Sequence, residues 1–207
     1  MFIDLPPPDP SLEISVASRG YSKGLAQTES AQLVVRGEVA FGNATVGLLW
    51  KNVSSPVVDG EAQFNLGYRL RTGGFDLRLT GGYHRQTGRD APTDDERFEF
   101  NLAASRAFGS ITPRISATYS PDDFGSTRES LYVEAGAGYR IAAGTTVSAN
   151  IGRRERSNNT DYTSFNLGIS HEIVRQVTVE ARYYDTAESA LGETYEGRVV
   201  GMVRVRF

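Results

Sequence analysis

The 207-residue chain is predicted to be all-β: a transmembrane antiparallel up-and-down β-barrel of 12 strands, with short periplasmic turns and long extracellular loops. Three observations predict it. Apolar residues recur at i, i+2, i+4 along nearly the whole chain, the spacing of a strand with one greasy face, and helical spacing is hard to find. The segments between these runs alternate in length, so that six long polar loops fall at one end and five tight turns at the other. The chain finishes on GMVRVRF (201–207), a strictly alternating strand at a terminus, where most soluble domains fray.

In chain order the runs are 11–21, 31–42, 44–52, 61–71, 75–85, 97–108, 111–119, 131–141, 146–151, 163–173, 177–184 and 194–207. EAQFNLGYRLR (61–71) sets Ala62, Phe64, Leu66, Tyr68 and Leu70 on one face and Glu61, Gln63, Asn65, Arg69 and Arg71 on the other. FDLRLTGGYHR (75–85) opposes Phe75, Leu77, Leu79 and Tyr83 to Asp76, Arg78, Thr80 and His84. A membrane strand needs only about 9–11 residues with every second one apolar. The long connections are YSKGLAQTES, NVSSPVVDG, QTGRDAPTDDE, SPDDFGSTRES, RERSNNTD and DTAESALGE; GN, TGG, GS, AAG and VRQ lie between them. A soluble sandwich has no reason to sort its loops by length, whereas an outer-membrane barrel does so and has an even strand number.

Prolines fit the same plan. Pro56 and Pro92 fall in loops, Pro121 is expected to end the seventh strand, and only Pro113 lies inside a run, near its start, where a missing donor is tolerated. Residues 1–10, with Pro6, Pro7, Pro8 and Pro10, read as a Pro-rich periplasmic segment ahead of a single barrel domain over 11–207. Trp50, Tyr21, Tyr68, Tyr83, Tyr119, Tyr139 and Tyr183 lie near strand ends, where an aromatic girdle places them.

Composition excludes several classes. A net charge of −3 argues against nucleic-acid binding. The absence of cysteine excludes disulfides and thiolate metal sites, and no stretch approaches the roughly 18 apolar residues of a membrane helix. The opening MFIDLPPPDP lacks a basic-then-apolar signal pattern, so the chain is read as the mature segment of an exported protein. Of the 22 basic residues only Lys23 and Lys51 are lysines, which favours planar, multidentate pairing.

The last strand sets the phase of the wall. Val203, Val205 and Phe207 face lipid while Arg198, Arg204 and Arg206 face the lumen, since an arginine in lipid near the midplane costs about 2–4 kcal/mol. That strand must pair with the first, because an open edge cannot exist in lipid. Val203, Val205 and Phe207 resemble the signal by which outer-membrane proteins reach the barrel assembly machinery. The chain also resembles the TorF family of porin-like exported barrels, through SRGYSKG (18–24), DYTSFNLGIS (161–170), ARYYDT (181–186) and RVVGMVRVRF (198–207). Arg19, Gly20 and Ser22 match the early motif; Lys23 stands where that family carries a polar amide, and the terminal arginines where it more often has serines. The resemblance implies a porin role without an assigned substrate.

Carried through every strand, the phase points Arg19, Arg36, Lys51, Arg69, Arg71, Arg78, Arg97, Arg114, Arg140, Arg154, Arg182, Arg198, Arg204 and Arg206 into the lumen. Glu13, Glu38, Glu61, Asp76, Glu99, Glu134, Glu172, Glu180 and Glu196 join them. Basic residues outnumber acidic ones, so the expected function is a diffusion channel for small anionic or zwitterionic solutes; the alternative is a closed structural or surface-interaction barrel with an ion-paired lumen. Enzymatic chemistry is not expected. His84 would face the lumen near the outer end of the fifth strand and His171 the lipid near the periplasmic interface, and TDDER (93–97) and SPDDFG (120–125) read as solvated loops. No metal or cofactor is expected. The expected partners are outer-membrane lipid and lipopolysaccharide, the assembly machinery and small solutes, with the chain a monomer or weak homo-oligomer of the bacterial outer membrane.

Overall fold

Alternating runs with no second layer to pack on enclose one face by closing the sheet, and in the computed structural model, which describes residues 6–54, 58–88 and 94–207, the sheet does close. The wall is made of β1 (Asp9–Ala17), β4 (Gln32–Phe41), β5 (Ala44–Asn52), β6 (Gly60–Thr72), β7 (Phe75–Thr87), β8 (Glu96–Arg106), β9 (Ile111–Asp123), β10 (Arg128–Ala142), β11 (Thr145–Arg156), β12 (Tyr162–Val174), β13 (Val177–Thr186) and β14 (Arg198–Arg206). A small separate hairpin, β2 (Tyr21–Ser22) and β3 (Leu25–Ala26), sits in the first long loop. Each wall strand pairs antiparallel with its neighbour in sequence, and β14 returns to β1 with Glu13 opposite Arg206 and Val16 opposite Val203. The Phe207 N–H donates to the Leu12 carbonyl at 2.9 Å and the Leu12 N–H to the Phe207 carbonyl at 3.2 Å, so the terminal residue is part of the seam.

The tight turns, among them Gly73 and Gly74 at φ 55° and 80°, reverse the chain at one end, the turn end. Long loops do so at the other, the loop end. The usual burial is inverted: Leu48, Leu102 and Leu167 are 64%, 57% and 56% exposed on the outside, whereas Glu61, Arg97 and Asp123 are 2%, 8% and 3% exposed within. Such an exterior is stable only against an apolar medium. Trp50, Tyr83, Tyr119 and Tyr183 stand on the outer face toward the loop end, and Tyr68 and Tyr139 toward the turn end.

Several boundaries differ from the sequence reading. β1 already includes Asp9 and Pro10, which face Ala40 and Val39, so the wall begins inside the segment expected to precede it. It stops at Ala17, short of residue 21. β9 runs through Pro121 to Asp123; the proline faces outward, and a register shift between Arg128 and Ser130 absorbs the irregularity. β14 starts at Arg198, because Glu193–Tyr195 turns as a 3-10 helix.

Candidate functional site

The site is the lumen, and it changes character along its length. At the loop end, residues from seven strands form a dry ion-paired layer. Arg97 on β8 is the hub: its guanidinium lies 2.8 Å from Asp123 on β9, 3.3 Å from Glu61 on β6 and 3.6 Å from Glu99 on its own strand. His84 on β7 packs between, with Nδ1 3.1 Å from Glu61 Oε1 and 3.2 Å from Arg97 Nε. Lys51 on β5 meets Glu61 at 3.3 Å, and Arg154 on β11 pairs with Asp123, which also accepts from Ser130 on β10 at 2.8 Å. Arg97 further stacks on the Phe124 ring at 4.3 Å. Buried charges persist only when paired and hydrogen-bonded; each of these is paired within the wall, and Glu99 takes its hydrogen bond from the first loop.

The first loop folds into this layer. Hairpin residue Lys23 pairs with Glu99, and its carbonyl accepts from the Tyr162 hydroxyl at 2.7 Å. Tyr21 stacks on Tyr184 with ring centroids 4.4 Å apart, inside the lumen and not in the girdle where its sequence position suggested. Gly24, at φ 83°, lies so close over Ser164 that a Cβ would collide with its side chain. Lys51 also donates to Gln27 at 2.8 Å, and the Ser54 N–H donates to the Gln27 carbonyl at 2.9 Å. Burial, then the nearby Arg97 charge, pushes the Lys23 ammonium down to about 8 against the opposing pull of Glu99. The last loop leans in beside the hairpin through Tyr195, which sets its ring edge-on to Tyr162 at 5.6 Å and accepts from Arg156 at 3.0 Å.

Midway, polar groups pair within a strand, between neighbours and across an intervening strand. Arg114 donates to Asn150 at 2.9 Å and reaches Glu134 at 3.3 Å; Asn150 donates to Asn166 at 2.7 Å; Arg182 joins Glu180, Asn166 and Ser148. Glycines on this face make room for large neighbours: a Cβ on Gly152 would strike Tyr132, and one on Gly168 would strike Arg182.

At the turn end the lumen opens into a cavity of about 550 Å³ whose lining includes Asp9, Arg36, Glu38, Asn65, Arg69, Arg78 and Asn101. Asp76 binds Arg69 in a bidentate pair and lies 3.9 Å from Arg71 and 3.7 Å from Arg78, whose side chains are 70% and 60% exposed. Glu13 holds Arg204 and Arg206 at 3.4 and 2.8 Å near the seam. Arg140 shares this face, since Tyr139 and Ile141 on either side point outward.

Most residues assigned to the lumen from sequence lie on its wall, divided between these layers: Lys51, Glu99 and Arg154 in the dry one, Arg114, Glu134, Glu180 and Arg182 midway, Arg36, Glu38, Arg69, Arg71, Asp76, Arg78 and Arg140 at the turn end. Two fall off the strands. Arg19 is past the end of β1, its guanidinium donating to the Glu29 carbonyl at 2.9 Å. Glu196 precedes β14 and pairs with Arg198 at the rim, 3.0 Å away. His171 is exposed on the outer face beside Thr145, and Arg106 lies outside against Phe75 and Phe108. Asp123 was expected in a solvated loop; the bulge before β10 turns it inward. TDDER lies partly outside the described residues, but its Arg97 is the hub of the dry layer.

The fold matches outer-membrane channels of known structure. It is similar to the NanC porin (TM-score 0.64, 10% identity, 94% of this chain and 97% of that one) and to the KdgM porin (0.62, 11%, 95% and 99%). It is also similar to the COG4313 outer membrane channel from Pseudomonas putida F1 (0.60, 12%, 99% and 96%). No curated protein matches the sequence. A family model described as bacterial protein of unknown function (Gcw_chp) matches residues 23–205, and the chain therefore belongs to the Gcw_chp family.

Proposed function

We propose that this protein is an outer-membrane channel of the porin type that lets small solutes diffuse, with a preference for anions or zwitterions set at its turn end. The observation that carries the reading is the cavity of about 550 Å³ inside a closed barrel, polar within and apolar without, where Arg36, Arg69 and Arg78 approach a shared space. Water-filled lumens lined by one excess charge focus the opposite ion. The structural neighbours support channel architecture, one having been solved as the KdgM porin in complex with disordered oligogalacturonate. The resemblance to the TorF family read from the sequence implies the same role. The turn end is then periplasmic and the loop end extracellular, with lipopolysaccharide around the outer rim and the assembly machinery recognising the outward Val203, Val205 and Phe207.

A closed structural barrel is the second reading, favoured by the dry layer and the hairpin seated in it. Enzymatic use of His84 has less support: its Nδ1 is engaged by Glu61 and Arg97, in an ion network and not beside a nucleophile. Single-channel current across a planar bilayer in a salt gradient decides between channel and closed barrel. Steady conductance with a reversal potential of anion sign, reduced by Arg69→Glu or Arg114→Glu, is the expected result. Silence from barrels shown to be folded and inserted overturns it.

A further inference from the structure

The dry layer is balanced in charge without the hairpin. Its three carboxylates, Glu61, Glu99 and Asp123, are met by three cations that belong to the wall: Lys51, Arg97 and Arg154. Lys23 enters from the loop as an additional positive charge; among the described residues its one ion-pair partner is Glu99, to which it donates and whose charge Arg97 also meets at 3.6 Å. The other contacts of the hairpin are of a different kind. Tyr21 stacks on Tyr184, Gly24 fits over Ser164, and the Lys23 carbonyl takes the Tyr162 hydroxyl bond. These are contacts of shape and of neutral hydrogen bonding; next to the hairpin, Gln27 accepts from the buried Lys51, whose charge is matched on the wall by Glu61.

We propose that the hairpin Tyr21–Ala26 is a gate at the extracellular mouth, seated by Tyr21, Gly24 and the Tyr162 bond and biased toward release by the Lys23 ammonium, the one cation in excess of the layer's own charge balance. This rests on the channel reading. Seated, the hairpin fills the dry layer and separates the turn-end cavity from the outside. Withdrawn, it leaves behind a charge-matched wall, so the barrel stays whole while the mouth opens. The lowered proton affinity of Lys23 agrees with the bias: a buried ammonium that holds its proton poorly is one the site holds poorly.

The test uses the full refolded chain, with folding checked by its heat-dependent mobility on a gel. Gly24→Val places a branched side chain where Ser164 stands and at a left-handed backbone, so it unseats the hairpin; Lys23→Met removes the misfit charge while keeping the length, so it seats the hairpin more firmly. Bilayer conductance should rise several-fold in Gly24→Val and fall below wild type in Lys23→Met. Because the chain has no cysteine, Ser22→Cys gives one reporter on the hairpin. Its reaction with a membrane-impermeant thiol reagent should speed up with Gly24→Val and slow with Lys23→Met. If Gly24→Val does not fold, Tyr21→Ala, which removes the stack on Tyr184, should act in the same direction.

Conductance and labelling both equal to wild type in the unseating variants overturn the gate and leave the channel standing. Faster labelling with no current in any variant overturns the channel reading, and with it the gate. A rise of current in Lys23→Met overturns the release role of the lysine and makes it a latch.

Discussion

The two ends of one lumen use the same residue types to opposite effect. At the loop end Arg97 is 8% exposed and lies against Glu61, Glu99, Asp123 and His84. At the turn end Arg71 and Arg78 are mostly exposed and share a single carboxylate, Asp76, at near-limiting distances. Where water is excluded, a charge must be matched on the spot, and the group becomes structural. Where water is present, a pair contributes about 0–1 kcal/mol, and the unmatched remainder sets a field that ions sense. Degree of pairing and wetness, more than composition, decide whether an arginine-lined lumen acts as a wall or a filter.

The comparison breaks most visibly at Arg97. Arg97→Ala leaves three buried carboxylates with two wall cations and should lower stability by about 3–5 kcal/mol. Urea unfolding followed through Trp50, the single tryptophan, reads it out, and an unchanged midpoint would mean the layer is wet. Next in size is the filter: reversing Arg36 and Arg78 together (Arg36→Glu, Arg78→Glu) should shift the reversal potential toward cation preference. In wild type the anion preference should fade as salt rises from 0.1 M, where the screening length is about 10 Å, to 1 M, where it is about 3 Å. Arg71→Ala should cost no more than about 1 kcal/mol in the same urea experiment, in contrast with Arg97→Ala.

The smallest effect expected is on pH. Lys23 faces Glu99 and Arg97 of β8, Asp123 of β9, Arg154 of β11 and the Tyr162 hydroxyl of β12, with Glu61, Lys51 and His84 behind Arg97. Its seated pKa, pushed down to about 8, lies below that of a solvated lysine, so the seated state binds the proton less tightly than the released one. Seating is therefore weakest below about pH 8 and strengthens as the pH rises toward the solvated value. Conductance between pH 7 and pH 10 should fall in wild type, and Lys23→Met should remove that dependence.

Much of the wall was legible in the sequence because a period of two leaves no choice of face once one side must meet lipid: Phe64 and Arg69, or Leu77 and Arg78, cannot both turn. Two features escaped for physical reasons. Alternation carried past Ser120 would put Asp122 inward, but the bulge shifts the phase by one and buries Asp123 in its place. The hairpin folds in through a bond between Lys23 and Tyr162, 139 residues apart, and the short segment YSKGLA carries no local sign of such a contact. Arg19 and Glu196 were misplaced by the same difficulty at smaller scale, because a strand end is decided by its partner's length as much as by its own residues.

The seam between β1 and β14 bears on how the molecule is made. Its first wall strand waits for its last, since Leu12 exchanges backbone bonds with Phe207, so a chain emerging from the ribosome cannot finish any part of the cylinder on its own. A half-built wall would carry two raw edges that hydrocarbon does not tolerate. On the membrane-spanning reading proposed above, insertion and closure are then one event, slow in the way that pairings between distant segments are slow.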